Sequence, residues 1–339
     1  MREGINIYSA PARISGEGVP VTGNKDRKAV LDAFISGLDA KETTRKEYRK
    51  VVNQYFCWID ETGRELDKLT QDDIVAWKDQ LTHRADELSS QTVALYLSAV
   101  RRFYTWAESR KLYPNIAAGV KSPKIRKDFV KQHLTPDECS ALLESLMDDV
   151  DNKVRARGFS NGHAIGLRDV ALVNLLLRTG MRTVEASRAN IRDITSRKGK
   201  RVILVQGKGR SSKDEFVPLS DKANAALEEY LTTRPSATPS EPLFICEGYG
   251  SCGRRLSGRR IQEIVKDALR KIGIDGHEYS AHSLRHTCAV MLLNAGVDPY
   301  DVQKFMRHRS IDTTEIYLES IDEERRLGRS AETYIDNTI

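Results

Sequence analysis

Hydrophobic positions along the chain fall first into a succession of amphipathic helices. From Asn24, Val30, Leu31, Phe34, Ile35 and Leu38 recur at helical spacing, and Gly37 marks the frayed end of the segment. A second helix runs through Tyr48, Val51, Val52, Tyr55, Phe56 and Ile59 and stops near Gly63. Thr70-Gln71-Asp72-Asp73 supplies an N-cap oxygen and first-turn carboxylates that complement a helix dipole, ahead of Ile74, Trp77 and Leu81. Ser89 or Ser90 caps a fourth helix with Val93, Leu97, Val100, Tyr104 and Ala107 on one face, while Arg101, Arg102 and Arg110 project elsewhere. Four helices between about 24 and 111 predict a small all-helical domain, taken as 24–120. Residues 1–23 hold several glycines and prolines without a sustained apolar period and read as a flexible tail.

The pattern breaks at 121–131, where five basic residues, among them Lys121, Lys124, Arg126 and Lys127, stand against one acid. Such a run is by default a solvated linker; between two domains it is also the positive strap that a clamp around nucleic acid would use. Thr135-Pro136-Asp137-Glu138 then combines a capping box with proline at the first helical position, opening a helix through Leu142, Leu143 and Leu146. Residues 152–166 are polar and glycine-bearing and predict a loop ahead of an apolar helix, 170–177, that forms the centre of a second core. Gly180 fits the C-cap of that helix, and Arg182 starts the next turn.

From Arg201 the period becomes strand-like. Residues 202–205, then Gly207-Lys208-Gly209-Arg210, then 216–219 predict a hairpin with Lys208 near its tip. Helices follow near 220–232 and 257–272, flanking a Pro/Ser loop and a short apolar run, Leu243-Phe244-Ile245. The fold class is therefore mainly α with a small β-hairpin in the second domain, an α+β arrangement spanning 132–327, with a C-terminal tail at 328–339.

Bulk composition narrows the function. A chain of 339 residues suits two domains, each with its own core. No stretch approaches the roughly 20 apolar residues needed to cross a bilayer. Lys and Arg number 54 against 48 Asp and Glu, a net charge of +6 that is compatible with a polyanionic partner without requiring one. The five cysteines, Cys57, Cys139, Cys246, Cys252 and Cys288, are scattered and lack zinc spacing, and the N-terminus lacks a secretory h-region. Reduced thiols and a cytoplasmic location follow.

The candidate chemistry lies mostly in the last third. His282 and Arg285 are three apart on one predicted helix, so both side chains project from one face. Taken singly, each is an ordinary solvated or structural residue, as are Arg182 and the Gly-flanked Lys208. Tyr317, between Ile316 and Leu318, would by itself be half-buried core. His286 is assigned to structure, on a helix face different from that of Arg285. The order Arg182, Lys208, His282, Arg285, His308, Tyr317 changes these odds. With Thr179-Gly180-Met181-Arg182-Thr183-Val184-Glu185, His282-Ser283-Leu284-Arg285-His286 and a tyrosine nine residues after His308, it resembles the tyrosine recombinase (phage integrase) family over roughly residues 24 to 327. One position departs: the family usually has glycine before the last histidine, and here Arg307 stands there.

The resemblance implies a DNA-cutting and rejoining enzyme with an N-terminal core-binding domain and a catalytic domain closing on double-stranded DNA. Tyr317 would be the nucleophile, Arg182 and Arg285 the phosphate clamps, His282 the base, Lys208 the general acid and His308 a phosphate hydrogen-bond donor, with Glu185 orienting Arg182 or His282. Guanidinium forks suit a phosphate that gathers charge under attack, and a phenol with pKa near 10 needs a base or a positive environment. No metal, ATP or other cofactor is implied. Arg101, Arg102 and the linker residues Lys121, Lys124, Arg126 and Lys127 would face DNA. A homotetramer on paired sites, accessory DNA-bending proteins, a tail acting on a neighbouring protomer and a nucleoid-associated location belong to the same expectation. Integration and excision of a mobile element is the first biological role, on length and tail, and Xer-like chromosome or plasmid dimer resolution the alternative. Type IB topoisomerase shares the chemistry, and a vestigial DNA-binding protein is the competing class.

Overall fold

The computed structural model describes residues 24–83, 88–124, 132–157, 159–207, 212–246, 253–308, 310–311, 314 and 317, the side chains of 24–26 and 152–161 excepted. The chain divides into two compact units after Phe129. Residues 1–23 and 318–339, which include the expected tails at 1–23 and 328–339, lie outside the described residues.

The first unit contains α1 (Asn24–Ser36), α2 (Glu42–Glu61), α3 (Gln71–Thr82) and α4 (Ser90–Ser109). Helices α3 and α4 start at the caps read from the sequence. The Thr70 N–H donates to Asp73 at 2.8 Å, and Ser89 Oγ accepts from the Thr92 N–H at 3.2 Å. The facing apolar stripes bury an aromatic core: Tyr55 meets Trp77 edge-on at 4.8 Å and Phe34 meets Phe103 at 5.6 Å. Arg101, on α4, donates to the carbonyl of Val120 and to Ser122 Oγ, which anchors the chain as it leaves the unit.

The second unit contains α5 (Pro136–Arg157), α6 (Phe159–Thr179), α7 (Thr183–Arg188), strands β1 (Ile194–Arg197), β2 (Lys200–Val205) and β3 (Glu215–Pro218), then α8 (Asp221–Thr232), α9 (Gly258–Lys271), α10 (Ala281–Asn294) and α11 (Pro299–Met306). The loop expected at 152–166 is instead the end of α5 and the first turns of α6. Gly166 is a contact glycine, since a Cβ there would meet Val150 Cα at 2.8 Å. Its small size lets α5 and α6 pack closely, so it was a packing signal and not a breaker. Helix α6 is the core helix, with Leu172, Leu175 and Leu176 fully buried and α5, α8 and α10 packed around it.

The three strands form one antiparallel sheet in the order β1-β2-β3. Pairing of Val205 with Glu215 and Leu204 with Phe216 confirms a β2–β3 hairpin. Lys208 falls in the connection between these strands and lies outside the described residues. Strand β1 was not foreseen. It joins β2 through Lys198 and Gly199, both at positive φ (48° and 76°), the two-residue turn that matches strand twist.

Candidate active site

The site is assembled at three helix ends. Helix α6 stops at Gly180, whose φ of 58° is left-handed and whose missing Cβ leaves room for Met306. Two residues later Arg182 occupies the N-cap of α7, and Glu185 folds back on it. The carboxylate accepts from the Arg182 N–H at 2.9 Å and from Arg182 Nη1 at 2.7 Å. Arg182 therefore leaves the helix start with its side chain fixed, 26% exposed, while Glu185 is 1% exposed.

Arg285, on α10, is 2% exposed. Its Nη1 donates to the Gly180 carbonyl and its Nη2 to the Met306 carbonyl, so one guanidinium joins the ends of α6 and α11. Burial, with repulsion from Arg182 and Arg307, brings its pKa down to about 10, still cationic at neutral pH.

Helix α11 ends at Arg307, which adopts the left-handed conformation (φ 54°, ψ 46°) that glycine would take at this position. Its side chain turns inward, 8% exposed, and Nη2 donates to Glu185 Oε2 at 2.8 Å. Its Nη1 donates to the Phe305 carbonyl at 2.9 Å, and its own carbonyl accepts from Arg182 Nη2 at 2.8 Å. Burial raises the Glu185 pKa, but Arg307, the Arg182 N–H and the Arg182 guanidinium outweigh it and hold the carboxyl below its usual range. The departure noted in the sequence thus leaves the turn intact and adds a third guanidinium.

His308 follows, with Nδ1 3.0 Å from Thr314 Oγ1. Burial first, then Arg285, Arg182 and Arg307, push its pKa down to about 3, so the imidazole is neutral. Tyr317 is 6% exposed and packs with Cys288, Val302 and Met306. Its ring lies 6.0 Å from that of His308 and 5.1 Å from that of His286. Burial raises the phenol pKa to about 12 against the opposing pull of Arg285 and Arg182.

His286, assigned to structure from the sequence, is packed beside the site. It is 4% exposed, and its ring stands 4.5 Å from His282 as well as 5.1 Å from Tyr317. The signal was its position four residues after His282, which puts the two on one face of α10. His282 itself is exposed.

Of the residues singled out in the sequence, Arg182, Glu185, His282, Arg285, His308 and Tyr317 converge here, joined by Arg307 and His286. In the β2–β3 connection, Lys213 Nζ is committed to Asp193 and to the Arg188 carbonyl. Arg101, Arg102, Lys121 and Lys124 belong to the first unit, where Arg102, Lys121 and Lys124 are exposed; Arg126 and Lys127 lie outside the described residues. Arg101 and Arg102 line a shallow groove with Thr44, Tyr48, Ser98 and Thr105. Among the described residues no cluster of three His, Cys, Asp or Glu could hold a metal ion, and no helix is long and apolar enough to cross a membrane.

A mainly helical fold that brings three arginines, histidines and a tyrosine together has clear relatives. The phage integrase family matches residues 133–324, and the N-terminal SAM-like domain of phage integrases matches residues 31–111. The chain belongs to the phage integrase family, the tyrosine recombinases, a class of DNA strand-exchange enzymes. It is 30% identical over 314 residues to the tyrosine recombinase XerC of Corynebacterium glutamicum, covering 91% of each chain. Identity is again 30% to the XerC of Neisseria gonorrhoeae, over 85% of this chain and 92% of the relative. Among solved structures, the XerH site-specific recombinase bound to palindromic difH substrate superposes with a TM-score of 0.66 at 23% identity, over 91% of this chain and 84% of that one. The Tn1549 transposon integrase in complex with a circular intermediate DNA gives 0.60 at 19%, over 85% and 94%.

Proposed function

We propose that the chain is a site-specific recombinase that cuts and rejoins duplex DNA through Tyr317. The observation that carries this reading is the convergence of Arg182, Arg285, His308 and Tyr317 from separate parts of the chain onto one place. A phosphodiester seated there meets two fixed guanidiniums and one neutral imidazole, an arrangement that stabilises charge developing on the nonbridging oxygens. With its pKa near 12, the phenol holds its proton until it is activated.

In the cleavage step the Tyr317 oxygen forms a bond to phosphorus and its proton passes to His282. The bond to the 5′-oxygen breaks, its electron pair stays on that oxygen, and Lys208 supplies the proton. One phosphoester replaces another, so the energy of the cut strand is kept in the 3′-phosphotyrosyl bond. A free 5′-hydroxyl of the partner strand then reverses the step, and two rounds exchange four strands through a four-way junction. Four copies on two sites, aided by accessory DNA-bending proteins, are the corresponding assembly. Arg102, Lys121 and Lys124 would add backbone contacts from the first unit, while Arg101 is committed to its own chain. A cytoplasmic, nucleoid-associated location suits such a substrate.

Resolution of duplicated sites, as in Xer systems, is the favoured role, because XerC relatives match over nine-tenths of their own length. That match removes chain length as a reason to prefer mobile-element integration, which becomes the second role. The test uses duplexes that the protein selects from a random DNA pool, placed as two direct copies on a plasmid. Two product circles support resolution, and joining only between unlike sites favours integration. Relaxation of a plasmid lacking the site would favour a topoisomerase, and binding without any cutting would favour a vestigial DNA-binding protein.

A further inference from the structure

We propose that Arg307 is a positioning residue for strand cleavage: it neutralises the Glu185 carboxylate so that Arg182, held by that carboxylate, keeps its positive charge available to the phosphate. This rests on the proposed strand-cleavage function and goes beyond it, since Arg307 stands where the family usually has glycine.

Folding alone gives no reason for arginine here. The backbone is left-handed at φ 54°, which disfavours any residue with a Cβ. The guanidinium is withdrawn from water, 8% exposed, and its Nε–H is buried without an acceptor among the described residues. Glycine would adopt the same turn and offer the same carbonyl to Arg182. What the side chain adds is one contact across the site, Nη2 to Glu185 Oε2 at 2.8 Å.

That contact alters how charge is shared. Glu185 is 1% exposed and its two oxygens take donors from two arginines: Oε1 from Arg182 Nη1, and Oε2 from the Arg182 N–H and Arg307 Nη2. With glycine at 307, Arg182 would be the one cation among the described residues hydrogen-bonded to that buried carboxylate, and much of its field would be spent there. With arginine, the carboxylate still orients Arg182 while a second cation offsets its charge. The arrangement is three guanidiniums and one carboxylate within the site, against two and one without Arg307. Its contacts to the Phe305 carbonyl and to Glu185 tie Arg307 to the carboxylate that orients Arg182, and it is through that carboxylate that it acts.

The experiment is single-turnover covalent adduct formation on a nicked suicide duplex carrying the protein-selected sequence, with DNA affinity and thermal midpoint measured alongside. Arg307→Gly should cleave about tenfold more slowly, short of the roughly hundredfold that a misplaced catalytic group loses, with DNA affinity changed less than about twofold. Arg307→Lys should recover most of the rate. In a Glu185→Gln background, adding Arg307→Gly should cause no further loss. A rate for Arg307→Gly within about twofold of wild type, a loss carried wholly by DNA affinity, or an undiminished loss in the Glu185→Gln background would each overturn the inference. If Arg307→Gly does not fold, Arg307→Lys decides: near-wild-type cleavage supports the role and a loss of tenfold or more rejects it. Absence of adduct with the wild-type protein would reject the proposed function and this inference together, whereas adduct formation with an indifferent Arg307 rejects only the latter.

Discussion

Replacing Arg285 with alanine removes a guanidinium that is 2% exposed and that holds the carbonyls of Gly180 and Met306. Hydrogen bonds from a charged donor contribute about 1.5–3 kcal/mol each. Against them stands the cost of the buried charge: burial, reinforced by Arg182 and Arg307, takes the pKa from 12.5 to about 10, equivalent to roughly 3 kcal/mol of disfavoured cation. The terms nearly offset, so truncation lowers folding stability by about 0–3 kcal/mol, or up to roughly 10 °C in Tm for a unit of this size. Cleavage has no such offset, and loss of one preorganised donor to a developing oxyanion costs about 2.7–4 kcal/mol, on the order of 100- to 1,000-fold in rate. The assay is adduct formation on the selected nicked duplex well below the variant's Tm, with binding followed by fluorescence anisotropy. The expected result is a 100- to 1,000-fold slower reaction on DNA bound within a few-fold of wild type. A folded variant that cuts within about threefold of wild type would refute the reasoning, as would a Tm drop beyond roughly 20 °C, which would make Arg285 a structural strut.

His308 should stay neutral. Its folded-state pKa, about 3 through burial and then the repulsion of Arg285, Arg182 and Arg307, lies below the unfolded value of 6.5. The stability tied to this group is therefore full above pH 6.5 and lost progressively as pH falls toward 3, and a His308 ring resonance titrating near 6.5 in NMR would contradict it. Gly180→Ala should destabilise by about 1–3 kcal/mol, because it forces a left-handed alanine whose Cβ would sit 2.7 Å from Met306; an unchanged Tm would show that the turn relaxes freely. Lys208→Ala should be slow on ordinary DNA and recover on a 5′-bridging phosphorothiolate, whose thiolate leaves without a proton. Equal impairment on both substrates would remove Lys208 from the general-acid role.

Much of the helical framework was legible from apolar stripes, joined by capping residues at the starts of α3, α4 and α5. Thr135 and Glu138 make the reciprocal hydrogen bonds that their spacing implies, and the Thr70 N–H donates to Asp73 at the start of α3. The misread segment, 152–166, shows where local signals fail: Gly166 is small because Val150 is close, and that contact is tertiary. Strand β1 escaped notice because its outward half is polar, although Lys198-Gly199 marked the turn. At the site, residue order pointed to Arg182, His282, Arg285, His308 and Tyr317, but order cannot say which way a side chain turns. Arg307 was legible as a departure from family pattern; that it points inward to Glu185 depends on a left-handed helix end meeting the start of α7. The spacing of His286 to His282 puts both on α10, whereas the contact of His286 with Tyr317 is tertiary.

The central claim is that Tyr317 attacks DNA, and the most direct measurement is denaturing-gel trapping of a covalent protein–DNA adduct on the nicked suicide duplex. Wild-type protein should give an adduct whose DNA-bearing peptide contains Tyr317, and Tyr317→Phe should give none while binding the same duplex. An adduct formed by Tyr317→Phe, or linkage mapped to another residue, would contradict the claim.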